Sequence, residues 1–264
     1  MANVLVDETS LQSIANAIRE KNGTEDTYKP LQMPQAILDI ESGSGSNELF
    51  EALVDGSISG DVVIQAESIR ASAFSRCLNL ESLSAGKAKT MGNTACNNCE
   101  NLLKVSFPEL TAFSVQAFYN CPKLTHIYAP KATSTSTGTF QGCTSLEILK
   151  LPSLTNATSN AFQNCTALRI VKLNALKTIS TSVFNNCSNL QALIIGTTNC
   201  TLSNANVFTG TPIASGTGFI YVPDEAVETY KTATNWNTYA SQFKGLSEIP
   251  QDILDELEAY NYGN

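Results

Sequence analysis

The sequence holds very little of the chemistry that enzymes and metal sites use. It has one histidine, His126, and one tryptophan, Trp236, in 264 residues. A hydrolytic triad needs a base beside a nucleophile and an orienting acid, and zinc sites use clustered Cys and His in short pairs. Cys96 and Cys99 form one such pair without partners at a matching spacing, and no phosphate-cradling glycine loop is present. We therefore expect no catalysis, no metal site and no cofactor.

Long apolar runs and export signals are also missing from the sequence. No stretch approaches the roughly 20 apolar residues that a membrane helix needs. The first residues lack the basic start and apolar core of a secretory signal, and no anchor follows at the other end. These absences predict no membrane insertion and a protein that is made in a bacterial cytoplasm and not exported by the general secretory route.

Charge is sparse and unevenly distributed along the chain. The formal net charge is −8, yet residues 70–200 contain eleven basic and only four acidic residues. Most of the acids lie in the flanks. Such an asymmetry can bear on partners and solubility but does not set the fold, and solvated surface charge is the simpler interpretation. We expect no nucleic-acid partner.

What the sequence does contain is a repeat with a constant interval. Cysteine recurs every 22 residues, with phenylalanine three places upstream in five of the six copies and leucine three places downstream in all. The periodic cysteines are Cys77, Cys99, Cys121, Cys143, Cys165 and Cys187. Self-similarity at this period indicates one short structural unit stacked many times. Each cysteine takes the same slot, so we expect a buried ladder of free thiols; disulfides between neighbouring rungs are the alternative.

Each repeat also contains the pattern of a short strand. Apolar residues fall six and eight places after the cysteine, as Ile127 and Ala129 do after Cys121, with polar neighbours between them. This alternation is typical of a half-buried strand. One strand per coil, stacked in register, predicts a parallel sheet along one face. The predicted fold is an α/β repeat solenoid with one short parallel strand per coil of ~22 residues.

The outward side chains of these strands form a candidate recognition ribbon. Neighbours along a strand alternate faces, so the fifth and seventh residues after each cysteine point away from the core. The ligand-binding candidates among them are Lys104, His126, Tyr128, Ile148, Lys150 and Lys172. A basic ribbon with a tyrosine in its middle suits an anionic envelope polymer such as a phosphate-bearing wall glycan. An ordinary solvated sheet face is the alternative.

The first 42 residues predict a helical hairpin that is too small to be stable alone. It must dock on the solenoid, on a copy of itself in a homo-oligomer, or on another protein. The apolar residues expected to make this contact are Leu11, Ile14, Ile18, Ile37 and Ile40.

Composition and pattern divide the chain into five parts. Residues 1–42 are the attachment segment, 43–46 a Gly/Ser linker, 47–218 the solenoid, 219–249 a C-terminal cap and 250–264 an acidic tail helix. Solenoids need an end cap to cover the last exposed coil. We expect Trp236 to pack inside this cap and Asp224 to cap its helix.

Two segments of the repeat carry a family resemblance. They read Ala117-Phe118-Tyr-Asn-Cys121-Pro-Lys-Leu124-Thr-His-Ile127-Tyr-Ala-Pro130 and Ala161-Phe162-Gln-Asn-Cys165-Thr-Ala-Leu168-Arg-Ile-Val171-Lys-Leu173. The pattern resembles the BspA-like class of leucine-rich repeats over about residues 58–210. The resemblance implies a surface or adhesion module that binds protein or glycan without catalysis.

Residues 3–41 carry a second, shorter resemblance. Val6-Asp-Glu-Thr-Ser-Leu11, Ile14-Ala-Asn-Ala-Ile18-Arg-Glu-Lys-Asn-Gly23 and Met33-Pro-Gln-Ala-Ile37 are similar to N-terminal segments of tail and baseplate-associated proteins of phages of Gram-positive bacteria. This resemblance implies a non-catalytic binding protein displayed on a virion. Its N-terminal segment would bind a phage structural protein, and its solenoid would contact a host envelope glycan or surface protein. A bacterial cell-surface adhesin or interaction scaffold is the alternative.

Overall fold

The structure is a computed structural model and describes residues 60–64 and 66–260. These residues include most of the repeats, the cap and the C-terminal helix. The attachment residues Leu11, Ile14, Ile18, Ile37 and Ile40 and the Gly/Ser linker 43–46 lie outside the described residues.

The strands are short and recur at the interval of the repeat. They are β1 Gly60–Ile64, β2 Ser68–Ile69, β3 Leu80–Ala85, β4 Thr90–Met91, β5 Lys104–Ser106, β6 His126–Tyr128, β7 Ile148–Lys150, β8 Asn156–Ala157, β9 Ile170–Leu173, β10 Thr178–Ile179, β11 Ala192–Ile195, β12 Thr201–Leu202, β13 Phe219–Val222 and β14 Phe243–Gly245. The α-helices are α1 Pro212–Ser215, α2 Val227–Thr232 and α3 Gln251–Ala259. Short 3₁₀ helices cover Asp224–Ala226, Trp236–Gln242 and Leu246–Glu248.

The longer strands form a parallel sheet along one side of the solenoid. It consists of two blocks, β1-β3-β5-β6 and β7-β9-β11-β13-β14 in spatial order. All of these pairs are parallel, and Lys104 pairs with His126 across one full repeat. The predicted repeat solenoid with a parallel strand in each coil is therefore confirmed. A second ladder of two-residue strands, in which β2 pairs with β4 and β10 pairs with both β8 and β12, was not predicted from the sequence.

A stack of phenylalanine rings fills the interior between coils. From Phe118 through Phe140, Phe162 and Phe184 to Phe208, successive ring centroids lie 5.3, 5.5, 5.7 and 5.8 Å apart. The planes of neighbouring rings differ by no more than 10°. All five side chains are fully buried. From Phe118 to Phe208, each coil is therefore packed against the next by the same contact, which explains why phenylalanine recurs at this position of the repeat.

The cysteines of the repeat line the same interior as free, buried thiols. From Cys99 onward, each periodic cysteine donates a hydrogen bond to a carbonyl of the preceding coil. Cys187 Sγ, for example, lies 3.1 Å from the carbonyl oxygen of Phe162. Burial raises the pKa of the Cys187 thiol to about 12, so it stays protonated and keeps its donor. A cysteine fits this slot because it is small and apolar yet donates a weak hydrogen bond.

The residue before each cysteine has a left-handed backbone. Its φ is 54° at Asn120, 60° at Asn164 and 58° at Asn186, and glycine takes the place at Gly142. Only glycine and, to a smaller extent, asparagine and aspartate adopt this conformation readily. The turn that closes each coil therefore explains the recurrent Asn-Cys dipeptide.

The cap closes the far end of the stack with aromatic side chains. Trp236 is buried, packs beside Phe208 and donates its indole N–H to the Cys200 carbonyl at 2.7 Å, which confirms its predicted place in the cap. The helix-capping role predicted for Asp224 is wrong. Its carboxylate instead accepts hydrogen bonds from the backbone and side chain of Ser247, because the turn after β14 brings Ser247 to it.

Truncation of a stacked ring tests the interior packing. Phe162→Ala removes a fully buried ring that has stacked neighbours on both sides, and such truncations typically cost about 3–5 kcal/mol of unfolding free energy. Chemical denaturation measures this loss. Leu103→Ala, at a side chain that is 38% exposed, is the control and should change stability far less. An unchanged denaturation midpoint for Phe162→Ala would mean that this ring does not stabilise the packing between coils.

Thiol labelling tests the buried ladder. Native protein should react slowly with a thiol reagent, because the cysteines are buried and the raised pKa values keep them protonated. After denaturation all eight cysteines should react. Rapid labelling of five or more thiols in the folded protein would contradict the ladder.

Candidate functional site

The outward side chains of the parallel strands lie in two rows, which we call together the strand face. The first row contains Asp61, Ser82, Lys104, His126, Ile148, Ile170, Ala192 and Phe219. The second row contains Val63, Ser84, Ser106, Tyr128, Lys150, Lys172, Ile194, Tyr221 and Lys244. Inward residues between the rows, such as Val105 and Ile127, are buried in the core. The rows exist because the strand alternates faces and the repeat keeps its register.

The half of the strand face formed by β3, β5 and β6 contains an open groove of about 220 Å³. The outward side chains that line this open groove are Ser82, Ser84, Lys104, Ser106, His126 and Tyr128. They bring together hydroxyl groups, two aromatic rings and one exposed ammonium group. The structure thus places three of the ligand-binding candidates, Lys104, His126 and Tyr128, in one site.

The positive charge of the open groove comes from Lys104. Burial, with the nearby Lys104 as a second cause, lowers the pKa of His126 below its usual value, so its ring is neutral at pH 7. His126 Nδ1 shares a hydrogen bond of 2.9 Å with the hydroxyl of Thr125. The groove can therefore offer a cation, hydroxyl donors and acceptors and flat ring surfaces to an anionic or hydroxyl-rich ligand.

The other half of the strand face is covered by the chain's own C-terminal helix. Ile148, predicted to face a ligand, is only 7% exposed, because it packs with Ile170, Ile194 and Leu257 of α3 in one apolar cluster. The prediction that this part of the ribbon is open is therefore wrong.

The two remaining lysine candidates also belong to the covered half. Lys150 donates a hydrogen bond of 2.8 Å to the carbonyl of Leu257. Burial, and then repulsion from Lys172, lowers the pKa of Lys150. Lys172 itself is half-buried beside it in the second row. Neither lysine lies in the open groove.

His126 marks the boundary between the open and the covered half. Its ring stacks on that of Tyr260, with centroids 5.2 Å apart and planes 2° apart. The Tyr260 hydroxyl donates a 3.3 Å hydrogen bond to the carbonyl of Thr125, at the point where β6 and β7 belong to different sheet blocks. Burial raises the pKa of Tyr260 to about 12, so this donor stays protonated.

Tyr260 and Arg169 are the site residues that sequence reasoning missed. Arg169 forms an ion pair with Glu256 of α3. The available signal was the run of apolar residues at outward positions, Ile148, Ile170, Ala192 and Ile194. Outward aliphatic side chains that recur over several coils indicate that something covers them.

Two absences apply to the residues that the structure describes. Within 60–64 and 66–260, no group of three or more His, Cys, Asp or Glu side chains is placed to hold a metal ion. The helices of this part of the chain are all too short or too polar to cross a membrane.

Solved structures of other bacterial proteins match part of this chain. A leucine-rich cell surface protein from Faecalibacterium prausnitzii is 22% identical with a TM-score of 0.51, over 59% of this chain and 42% of that one. A leucine-rich repeat protein from T. pallidum is 20% identical with a TM-score of 0.42, over 50% of this chain and 78% of that one. This chain thus matches less than half the length of the first structure, with which it shares the fold. A comparison with curated proteins gives no match.

A comparison with protein families gives a match to the BspA type leucine-rich repeat region. Six copies are found, over residues 67–191 and 111–220. Together these ranges span more than half of the 264 residues and include every strand of the open groove. The chain belongs to the BspA-type leucine-rich repeat family.

Proposed function

We propose that this protein is a non-catalytic binding scaffold that recognises its ligand through the open groove. The observation that carries the proposal is the grouping of Lys104, His126 and Tyr128 with three serines on one exposed strip of the sheet. Membership of the BspA-type family supports a binding role. Buried inward side chains of the same strands, Leu83, Val105 and Ile127, anchor the groove residues on the core before the ligand arrives, which reduces the entropy lost on binding.

The chemistry of the open groove favours an anionic, hydroxyl-rich polymer of a cell envelope. Lys104 supplies charge for a phosphate or carboxylate, and the serine hydroxyls can bond sugar hydroxyls. Tyr128 supplies a flat apolar surface with a polar edge. A phosphate-bearing wall glycan has all three kinds of group. A surface protein with an acidic loop is the other partner that this groove would fit.

We favour action at a bacterial cell surface, as an adhesin or an interaction scaffold. The similar structure from Faecalibacterium prausnitzii is described as a cell surface protein, which supports this setting. The second candidate is display on a phage tail or baseplate. It rests on the resemblance of residues 3–41 to tail-associated proteins, with the segment predicted as a helical hairpin bound by a phage structural protein or by a second copy of the chain.

Charge reversal in the open groove tests the proposed site. Lys104→Glu should lower the affinity for a purified phosphate-bearing wall glycan by about tenfold, which corresponds to ~1.4 kcal/mol. Tyr128→Ala should weaken binding as well, because a stacking surface is lost. Binding of the unaltered protein should weaken as salt rises, since exposed charges are screened. Calorimetry or surface adsorption measures these changes.

A matched control separates the groove from general charge. Lys177→Glu makes the same charge change at an exposed lysine beside β10, in the second ladder. It should leave binding unchanged, and all variants should unfold at the same temperature. If Lys104→Glu and Lys177→Glu lower the affinity for the glycan equally, binding depends on net charge and the open groove is not the site.

Removal of the N-terminal segment tests the virion candidate. A chain without residues 1–42 should keep the solenoid folded but lose incorporation into phage particles, because the apolar contacts of Leu11, Ile14 and Ile18 are gone. Particle purification followed by immunodetection measures incorporation. If the intact protein is absent from all phage particles, the virion candidate is wrong and only the cell-surface setting remains.

A further inference from the structure

The surface beneath helix α3 offers the helix apolar contacts and an opposite charge. On α3, Leu257 is buried and Ile253, four positions before it, packs on the same side of the helix. Tyr260, which directly follows the helix, packs beside them. Below them lie the aliphatic outward residues of β7, β9 and β11. We call this surface, made of Ile148, Ile170, Ala192, Ile194, Lys150 and Arg169, the covered patch.

Polar contacts at both Glu256 and Leu257 position the helix on the covered patch. Arg169 forms an ion pair with Glu256 and also lies 3.6 Å from Glu147 of the neighbouring coil. Lys150 donates to the carbonyl of Leu257 in the last turn of α3. A cation at this end of a helix complements both its unpaired carbonyls and its dipole. These contacts hold the acidic helix with its C-terminal end at Lys150.

The helix is held much less firmly than the coils that it covers. It has nine residues, of which only Leu257 is buried, and no side chain caps its N-terminus. Isolated helices of this length are marginal in water. The ion-pair partners Arg169 and Glu256 are 30% and 36% exposed, so solvent weakens their attraction. Elements with few buried contacts open at a lower free-energy cost than the core.

We propose that α3 is a displaceable strap and that the covered patch is a second binding surface, which fits an acidic amphipathic helix of a partner protein. The chain's own helix shows the chemistry of the partner: apolar residues four positions apart, a carboxylate for Arg169 and free helix-terminal carbonyls for Lys150. Opening of the strap also uncovers one side of His126, which lines the open groove. The two surfaces are therefore adjacent and meet at this ring.

Amide hydrogen exchange on the full chain measures whether the strap opens. Amides of α3 should exchange at least about tenfold faster than those of β9, because local opening does not require unfolding of the stack. Glu256→Arg should speed exchange of α3 further and leave β9 unchanged. The combination Arg169→Glu with Glu256→Arg should restore protection. Lys131→Glu, which breaks the exposed Lys131–Glu109 pair elsewhere on the solenoid, is the control and should have no effect on α3.

A peptide probe measures whether the covered patch binds a helix. A labelled peptide with the sequence of residues 246–260 should bind the Glu256→Arg chain, whose strap is loosened and whose Arg169 is intact. It should bind the Arg169→Glu chain at least about tenfold more weakly, although its strap is loosened as well.

Three outcomes would overturn the proposal. The first is exchange of α3 at the rate of β9, which would make the helix a fixed part of the fold. The second is absence of peptide binding to the Glu256→Arg chain, and the third is equal binding to both variants. No envelope ligand enters these measurements, so their failure is distinct from failure of the proposed groove.

Discussion

The contact between successive coils joins a stacked phenylalanine ring with a hydrogen bond from a buried thiol to a carbonyl of the preceding coil, and the regular spacing of the repeats follows from it. The Phe162 carbonyl accepts the backbone N–H of Cys165 in its own coil at 3.2 Å and the thiol of Cys187 in the next coil at 3.1 Å. One carbonyl oxygen thus accepts the hydrogen bond of a turn within its own coil and a second hydrogen bond from the next coil. The phenylalanine that carries this carbonyl stacks on its neighbours at 5.5 and 5.7 Å. The hydrogen bonds and the stacking of the rings are therefore compatible with the same distance between coils.

The candidate site follows from that distance. Because successive strands pair in register, their outward side chains fall into two rows, and chemistry that is scattered along the sequence becomes continuous in space. Lys104 and His126 are one repeat apart in the chain and are paired across neighbouring strands. The stack contributes position and rigidity, while the outward residues are free to vary in character from serine and lysine at one end to isoleucine at the other. That change in character divides the strand face into an open and a covered half.

The periodic parts of the fold could be predicted from the sequence because each coil meets the same environment as its neighbours. The strand positions, the stacked Phe162 and the cap position of Trp236 all follow from local spacing. The second ladder was missed because two-residue strands leave no alternation to detect. The covering of Ile148 was missed for another reason: Lys150 and Leu257 are 107 positions apart, and no local pattern connects them. The apolar outward residues indicate that something contacts this part of the sheet. They do not tell whether it is a ligand or a helix of the same chain, because both surfaces accommodate isoleucine.

Chemical-shift mapping of the full chain with a phosphate-bearing wall glycan tests most directly whether the open groove is the binding site. We expect the ring signals of His126 and Tyr128 and the backbone signals of Ser82 and Lys104 to shift on titration, with the second ladder unaffected. Shifts confined to the second ladder around Asn156 and Thr178, or to the cap around Trp236, would contradict a binding site in the open groove.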